Sequence, residues 1–465
     1  MTHDVSVPDR PNFDLIALLT TRGFCSLGRM RVRSASEISG SPWTVGAETL
    51  DRGFSDFEES APYLGALGAK RVRLQAGWAT CEPRPGEYEW AWLDRIVELC
   101  AEQGVDPWLQ TSYGNPAYPD GGGEGLGGDL PSGKEALAAW DRWVTALVER
   151  YGDRCSVWEI WNEPELLGQA SVKAYTELFV RTARIVRERQ PAAKIIGLGL
   201  AGHALGGDSF AEGFLRELHG REETALLDEI AFHFYRAEPE KGLDDHAADL
   251  ERLCRLYAPH VRLVQGENGA PSKSSGFGAL KEQEWSERKQ AVWDLRRMLS
   301  HHARGYAMSL FTLADMHYTV RLGDWSGHNS KGLLASEPDK KITHRKHSYF
   351  AAQHVFSLLD DRFPLERTPV ANSHMETPHV SRVWHVRGRS APAMIAWWSC
   401  AGEVCLETAE PGRIRIEEAE FEDPVLLDFL SGTVFDPPKD FTPHELPCSD
   451  SPLALVERSL VEIER

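Results

Sequence analysis

Two glutamates close strongly apolar segments of this chain, Glu163 in SVWEIWNE and Glu267 in VRLVQGE. The segment RVRLQ carries Arg73, and EIAFHFY carries His233 and Tyr235. Alternate residues of a strand face opposite ways, so polarity can be paired with parity. Val72 and Leu74 then share one face, and Arg73 and Gln75 the other. Trp158 and Ile160 oppose Glu159, Trp161 and Glu163, while Ile230, Phe232 and Phe234 oppose His233 and Tyr235. Side by side, these strands bring Arg73, Glu163, His233, Tyr235 and Glu267 to one rim, where burying such polarity is costly unless the groups pair or react. Two facing carboxylates suit glycosidic cleavage: one protonates the leaving oxygen while the other attacks or stabilises the anomeric carbon. Arg73 is suited to keep Glu267 ionised, and the Tyr235 hydroxyl to fix its aim. Glu163, between Trp161 and Pro164, is the candidate acid and base. Glu159, deeper on the same face, reads as a buried partner for Arg73 or a backbone anchor.

The elements that must position these groups are eight short apolar strands: 43–48, 71–75, 105–110, 156–163, 194–200, 229–235, 261–267 and 306–313. Helical patterns separate them. Leu93, Ile96, Val97 and Cys100 follow the i, i+3, i+4, i+7 rule, as do Trp285, Val292, Leu295 and Leu299 less densely. Eight strand–helix units predict an α/β fold, a (β/α)8 TIM barrel over residues 41–360. From about residue 371 to 465 the pattern changes to period-2 strands separated by Gly, Pro and Glu, which predicts an all-β sandwich domain. Residues 1–40 have little periodicity and are a candidate extra strand for that sandwich.

Composition narrows the function. The net charge is −19, which argues against nucleic-acid binding and against an anionic membrane surface. No apolar run approaches the ~20 residues of a membrane span. The start, MTHDVSVPDRPNFDLIALL, lacks the basic, apolar and small-residue regions of a secretory signal. The eight cysteines include no CxxC pair and read as free thiols. A cytoplasmic enzyme acting on a small carbohydrate is therefore expected, with a homo-oligomer left open.

The segment WEIWNEPE (158–165) resembles the fourth-strand signature of the retaining glycoside hydrolases of clan GH-A. That resemblance implies Glu163 as general acid/base and Glu267, ending strand seven, as nucleophile. It also implies Asn162 as a contact to the sugar 2-hydroxyl. Arg73 at the end of strand two and the His-x-Tyr of His233 and Tyr235 are similar to the same pattern. Within the clan, the appended β-sandwich and HRKHSYFAAQHV (344–355) resemble family 39, which includes β-xylosidases and α-L-iduronidases. Two departures stand out: Phe311 is the nearest aromatic where many members end strand eight in Trp, and Gly266 precedes Glu267 where Thr is usual.

Other residues have rival readings. Trp78, Trp161 and Trp325 are candidate sugar platforms, whereas Trp108 reads as core. Gly197–Gly202 spells GxGxxG after a strand, so an NAD-dependent oxidoreductase is a rival, though no helix clearly begins there. A catalytically silent carbohydrate-binding barrel is another. No metal or cofactor is expected, because the histidines lack a ligand pattern and DGGGEGLGGD lacks calcium-loop spacing. That glycine-rich loop, within 118–133, reads as a mobile lid.

Overall fold

The computed structural model describes residues 13–205, 208–274, 277–319, 326–407, 411–417 and 420–464. Eight parallel strands close into a barrel: Trp43–Gly46, Arg71–Gln75, Asp106–Thr111, Val157–Ile160, Lys194–Leu200, Glu229–Phe232, Arg262–Asn268 and Ala307–Leu310. Val45 pairs with Val72 on one side and with Leu310 on the other, which seals the ring. Strands covered by helices on the outside and packed within should be apolar on both faces. These are apolar outside and at the floor, and polar inside toward the rim, at Arg73, Gln75, Gln110 and Glu159. The lower interior is filled by Trp108, Val157, Ile196, Ala231 and Val264, so Trp108 is core. This apolar plug gives the polar rim above it a dry floor.

The helices follow from their periodicity. Ala91–Glu102 buries Leu93, Ile96, Val97 and Cys100 against the barrel. Glu287–His302 differs, since its residues are buried all round from Arg288 to His302. Its weak amphipathic pattern has a physical cause: the C-terminal sheets cover the side that would otherwise face water. Across that contact Arg288 Nη2 lies 2.7 Å from Asp450, and the Trp384 indole donates to His302 Nδ1 at 3.0 Å.

The C-terminal region forms two antiparallel sheets. The larger runs in the order His379–Trp384, Met394–Ser399, Leu453–Glu457, Pro424–Asp428, Thr433–Asp436, Cys25–Met30 and Ile463–Glu464. The smaller contains Ser373–His374, Gly412–Ile416 and Leu446–Cys448. Trp397, Leu426 and Phe435 from one sheet meet Ile414, Ile416 and Leu446 from the other, and Leu15 and Leu19 of the helix Phe13–Thr21 join them. All eight cysteines are free thiols, Cys400 and Cys405 included. Among the described residues no helix is long and apolar enough to cross a membrane.

Candidate active site

Arg73 is the hub of the rim. Rising from strand two, it is wholly buried and makes five hydrogen bonds. Its Nε and Nη2 grip the two oxygens of Glu159 at 2.7 and 3.0 Å, and Nη2 also reaches Asn162 Oδ1 at 2.8 Å. Its Nη1 donates to Glu48 at 2.8 Å and to Glu267 Oε2 at 3.1 Å. Glu159 is thus the buried anchor of Arg73. A guanidinium fork is suited to such planar, two-point recognition.

Glu163 stands where strand four has ended. Trp161 and Glu163 both adopt left-handed backbone, with φ of 66° and 53°, a conformation costing roughly 1–3 kcal/mol for a non-glycine residue. The Glu163 N–H is held by the carbonyls of Leu198 and Gly199 at 3.2 and 3.0 Å. These turns break the strand alternation after Ile160. Asn162, which parity would point outward, therefore faces in and donates from Nδ2 to the Tyr113 hydroxyl at 3.1 Å. Trp161 turns sideways instead, edge-on to Tyr113 with ring centres 5.4 Å apart.

His233 and Tyr235 bridge the two carboxylates. His233 Nδ1 lies 2.8 Å from Glu163 Oε1 and 4.0 Å from Glu267 Oε2. The Tyr235 hydroxyl donates to Glu267 Oε1 at 3.0 Å. One ligand atom each from Glu163, His233 and Glu267 falls within 4.8 Å of the others. Such a trio has the spacing to hold a metal, yet both oxygens of Glu267 already accept bonds, from Arg73 and Tyr235.

Electrostatics separates the two acids' surroundings. Burial pushes the Glu267 carboxyl up, but the charges of His233 and Arg73 and the Tyr235 hydrogen bond outweigh it and hold it below the ordinary value. For His233, burial lowers the imidazole, while Glu267 and Glu163 more than compensate and raise it. Burial and the neighbouring Glu267 push the Tyr235 phenol well up, so it stays a donor.

Close packing explains three glycines. A side chain at Gly266 would meet Ala231 Cβ at 2.9 Å and His233 Nε2 at 3.4 Å, so the residue before Glu267 is small to admit the imidazole. Gly199 has φ of 58°, and a Cβ there would lie 2.9 Å from Glu159 Oε1 and 3.6 Å from His233 Nε2. A Cβ at Gly197 would press Phe179 at 3.0 Å and Leu227 at 3.1 Å. The first two glycines of the GxGxxG spelling thus reflect packing, of a helix at Gly197 and of the polar rim at Gly199, while Gly202 stands in open space.

The aromatic expectations need correction. Trp78 has no exposed surface: it stacks between Tyr118 and Trp143 and donates to Glu82 at 2.7 Å, so it offers no face to a sugar. Trp161 is 1% exposed and packs edge-on to Tyr113, whereas Phe311, 6% exposed like the rim residues Asn162 and Glu163 at 4% and 8%, lies just past the end of strand eight. Trp325 lies outside the described residues. Tyr318, in the field of Glu267 and Glu48, packs between Phe54 and Phe277, half-buried rings with centres 4.6 and 4.8 Å from its own. Burial raises the Tyr318 phenol to about 12, with Glu267 and Glu48 adding to the rise.

Further residues at the site escaped the sequence reading. Glu48 is buried beside Arg73, and burial pushes it to about 7 against the arginine's pull. Gln110 donates to Asn162 Oδ1 at 3.3 Å, while Gln75, on the inner face with Arg73 as its parity indicated, donates to Tyr113 at 3.3 Å. An acid two residues beyond Gly46 and a glutamine at the end of strand three were the available signals. The glycine-rich loop is not an open lid: Gly114, Asn115 and Gly123 N–H groups bond the carbonyls of Gly123, Gly121 and Asp129 at 2.8–3.1 Å. A Cβ at Gly122 would lie 2.1 Å from the Asp129 carbonyl oxygen, so only glycine lets the loop fold back this tightly.

Known proteins resemble this chain in part of its sequence and in its fold. Residues 82–252 match the family described as glycosyl hydrolases family 39. A family 39 glycoside hydrolase from Bacteroides cellulosilyticus WH2 has the same fold, at 18% identity with a TM-score of 0.65 over 90% of this chain and 81% of that one. A family 39 β-xylosidase from Caulobacter crescentus aligns at 16% identity and TM-score 0.54 over 93% and 98%. A β-galactosidase of Clostridium cellulovorans is 28% identical over 126 residues, 23% of this chain. The chain spans about a fifth of that relative's length, 19%. Residues 82–252 of this chain thus resemble the glycosyl hydrolases of family 39, and its barrel fold is shared with solved members of that family.

Proposed function

We propose that this protein is a retaining glycosidase that removes a terminal sugar from short oligosaccharides or small glycosides. The observation that carries this reading is the carboxylate pair itself, with oxygens of Glu163 and Glu267 within 4.8 Å of one another. Retaining enzymes hold the two groups about 5–5.5 Å apart, whereas inverting enzymes leave about 6.5–9.5 Å for a water. Glu267, kept ionised by Arg73 and His233 and aimed by Tyr235, attacks the anomeric carbon and forms a glycosyl-enzyme. Glu163 protonates the departing oxygen, drawing on the proton it shares with His233. It then takes a proton from the water that hydrolyses the intermediate. Asn162, oriented by Arg73, Gln110 and Tyr113, is placed to meet the sugar 2-hydroxyl, and Tyr318 with Phe54 and Phe277 forms an apolar wall.

A panel of aryl xylosides, glucosides, galactosides, arabinosides and fucosides identifies the sugar, with xyloside and galactoside first because of the relatives' activities. Product stereochemistry then tests the mechanism: a first product of inverted configuration overturns the reading. A 2-fluoroglycoside of the accepted sugar should label Glu267.

A further inference from the structure

The opposite end of the barrel holds a second feature that glycosidic cleavage does not use. A cavity of about 990 Å³ opens at the strand starts, where Arg71, Lys194 and Arg262 begin strands two, five and seven. It is lined by eight Lys and Arg residues against five Asp and Glu, a reversal of sign in a chain of net charge −19. Three of its five acids are already engaged by basic or hydroxyl side chains of the same wall. Asp228 pairs with Arg187 at 2.6 Å, Glu229 with Lys194 at 2.6 Å, and Glu251 accepts from the Tyr306 hydroxyl at 2.5 Å. Three guanidiniums are not neutralised in this way. Among the described residues the side chains of Arg71 and Arg262 are in no ion pair and no hydrogen bond, and Arg71 Nε is buried with no partner. Among the described residues the Arg387 side chain donates only to the Asp361 carbonyl, at 3.0 Å.

A buried N–H without an acceptor costs free energy that a bound acceptor recovers, and a concave wall of like charge concentrates its field. Guanidinium forks pair best with planar or tetrahedral oxyanions. We propose that this basin binds a small multivalent oxyanion, two or more phosphate or carboxylate groups on one molecule, on the face remote from the sugar. Arg71, Arg262 and Arg387 are its principal contacts.

Calorimetry on the full chain at fixed ionic strength tests this, with pyrophosphate as the phosphate probe and citrate as the carboxylate probe. Saturable one-to-one binding of either is expected, and the tighter probe names the chemistry; saturable binding of neither overturns the proposal. Arg71→Gln with Arg262→Gln should weaken that binding about tenfold or more, and unchanged affinity overturns it. Arg262→Gln alone, at an exposed position, keeps the test available if the double variant fails to fold, and should weaken binding severalfold. Glu267→Gln should bind the probe as the parent does, and loss of binding there would place the anion at the catalytic rim instead.

Discussion

Arg73 holds Glu159 through two parallel hydrogen bonds of 2.7 and 3.0 Å, and this pair is wholly buried. The grip fixes the guanidinium plane, so its remaining N–H groups are aimed at Glu48, Asn162 and Glu267 without further freedom. Lysine has no fork with which to do this. Arg73→Lys should therefore lose about 3–5 kcal/mol of stability, the range for breaking a buried pair, and activity should fall at least about a hundredfold. Thermal melts and initial rates measure both; a variant of parental stability and activity would remove Arg73 from the centre of the site.

Glu163→Gln separates proton donation from attack. The loss of a general acid should lower kcat by about 10²–10⁴ on glycosides with poor leaving groups. Dinitrophenyl glycosides, whose leaving group needs no proton, should be far less affected. Equal losses on both would argue that Glu163 is structural. Glu267→Gln should abolish turnover on every substrate.

Tyr235→Phe removes the 3.0 Å hydrogen bond to Glu267 and little volume. Without that bond the carboxyl should ionise less readily, so the acid limb of the rate profile should move to higher pH. A limb that stays in place, whatever happens to kcat, would contradict the role assigned to Tyr235.

The pH dependence follows from opposite shifts. The acid limb of kcat/KM should lie below the ordinary glutamate value of about 4.3, because Glu267 is lowered. The alkaline limb should lie above the ordinary imidazole value of about 6.5, because loss of the proton held with His233 is resisted. Stability follows the same groups. The raised His233 contributes fully below the unfolded imidazole value and loses its contribution as pH rises through its folded value. The lowered Glu267 contributes above the unfolded carboxyl value and loses it as pH falls through its folded value. A titration of unfolding free energy compared with His233→Asn and Glu267→Gln separates the two.

Gly199→Ala tests the packing account of GLGLAG. Alanine at φ of 58° costs about 1–3 kcal/mol, and its methyl would press on Glu159. Melting temperature and activity should fall together, and neither NAD nor NADP should restore them. Cofactor-dependent stabilisation of the parent would revive the oxidoreductase reading.

The barrel, the two glutamates and the Arg73, His233 and Tyr235 set were legible in the sequence. A buried parallel strand must be apolar, so each polar residue that interrupts one is conspicuous, and alternation gives its direction. That reasoning holds only while the backbone stays extended. Past Ile160 the left-handed turns at Trp161 and Glu163 exchange the directions of Trp161 and Asn162, and no local pattern announces them. Trp78 and Trp161 misled for a related reason: an indole is large enough to serve equally as core or as platform, and only burial distinguishes the two. Tyr318 and Phe54 come together from segments far apart in the chain, so neither showed as a partner of the other. The same holds at the barrel floor, where Arg71 and Arg262 are ordinary surface residues in the sequence and become neighbours of one cavity only on closure of the ring. The sequence by itself thus determined which groups had to be buried and paired. Which of them face each other, at what distance and in whose field was decided by tertiary structure, because those quantities depend on strand order and on backbone turns that bring distant residues together.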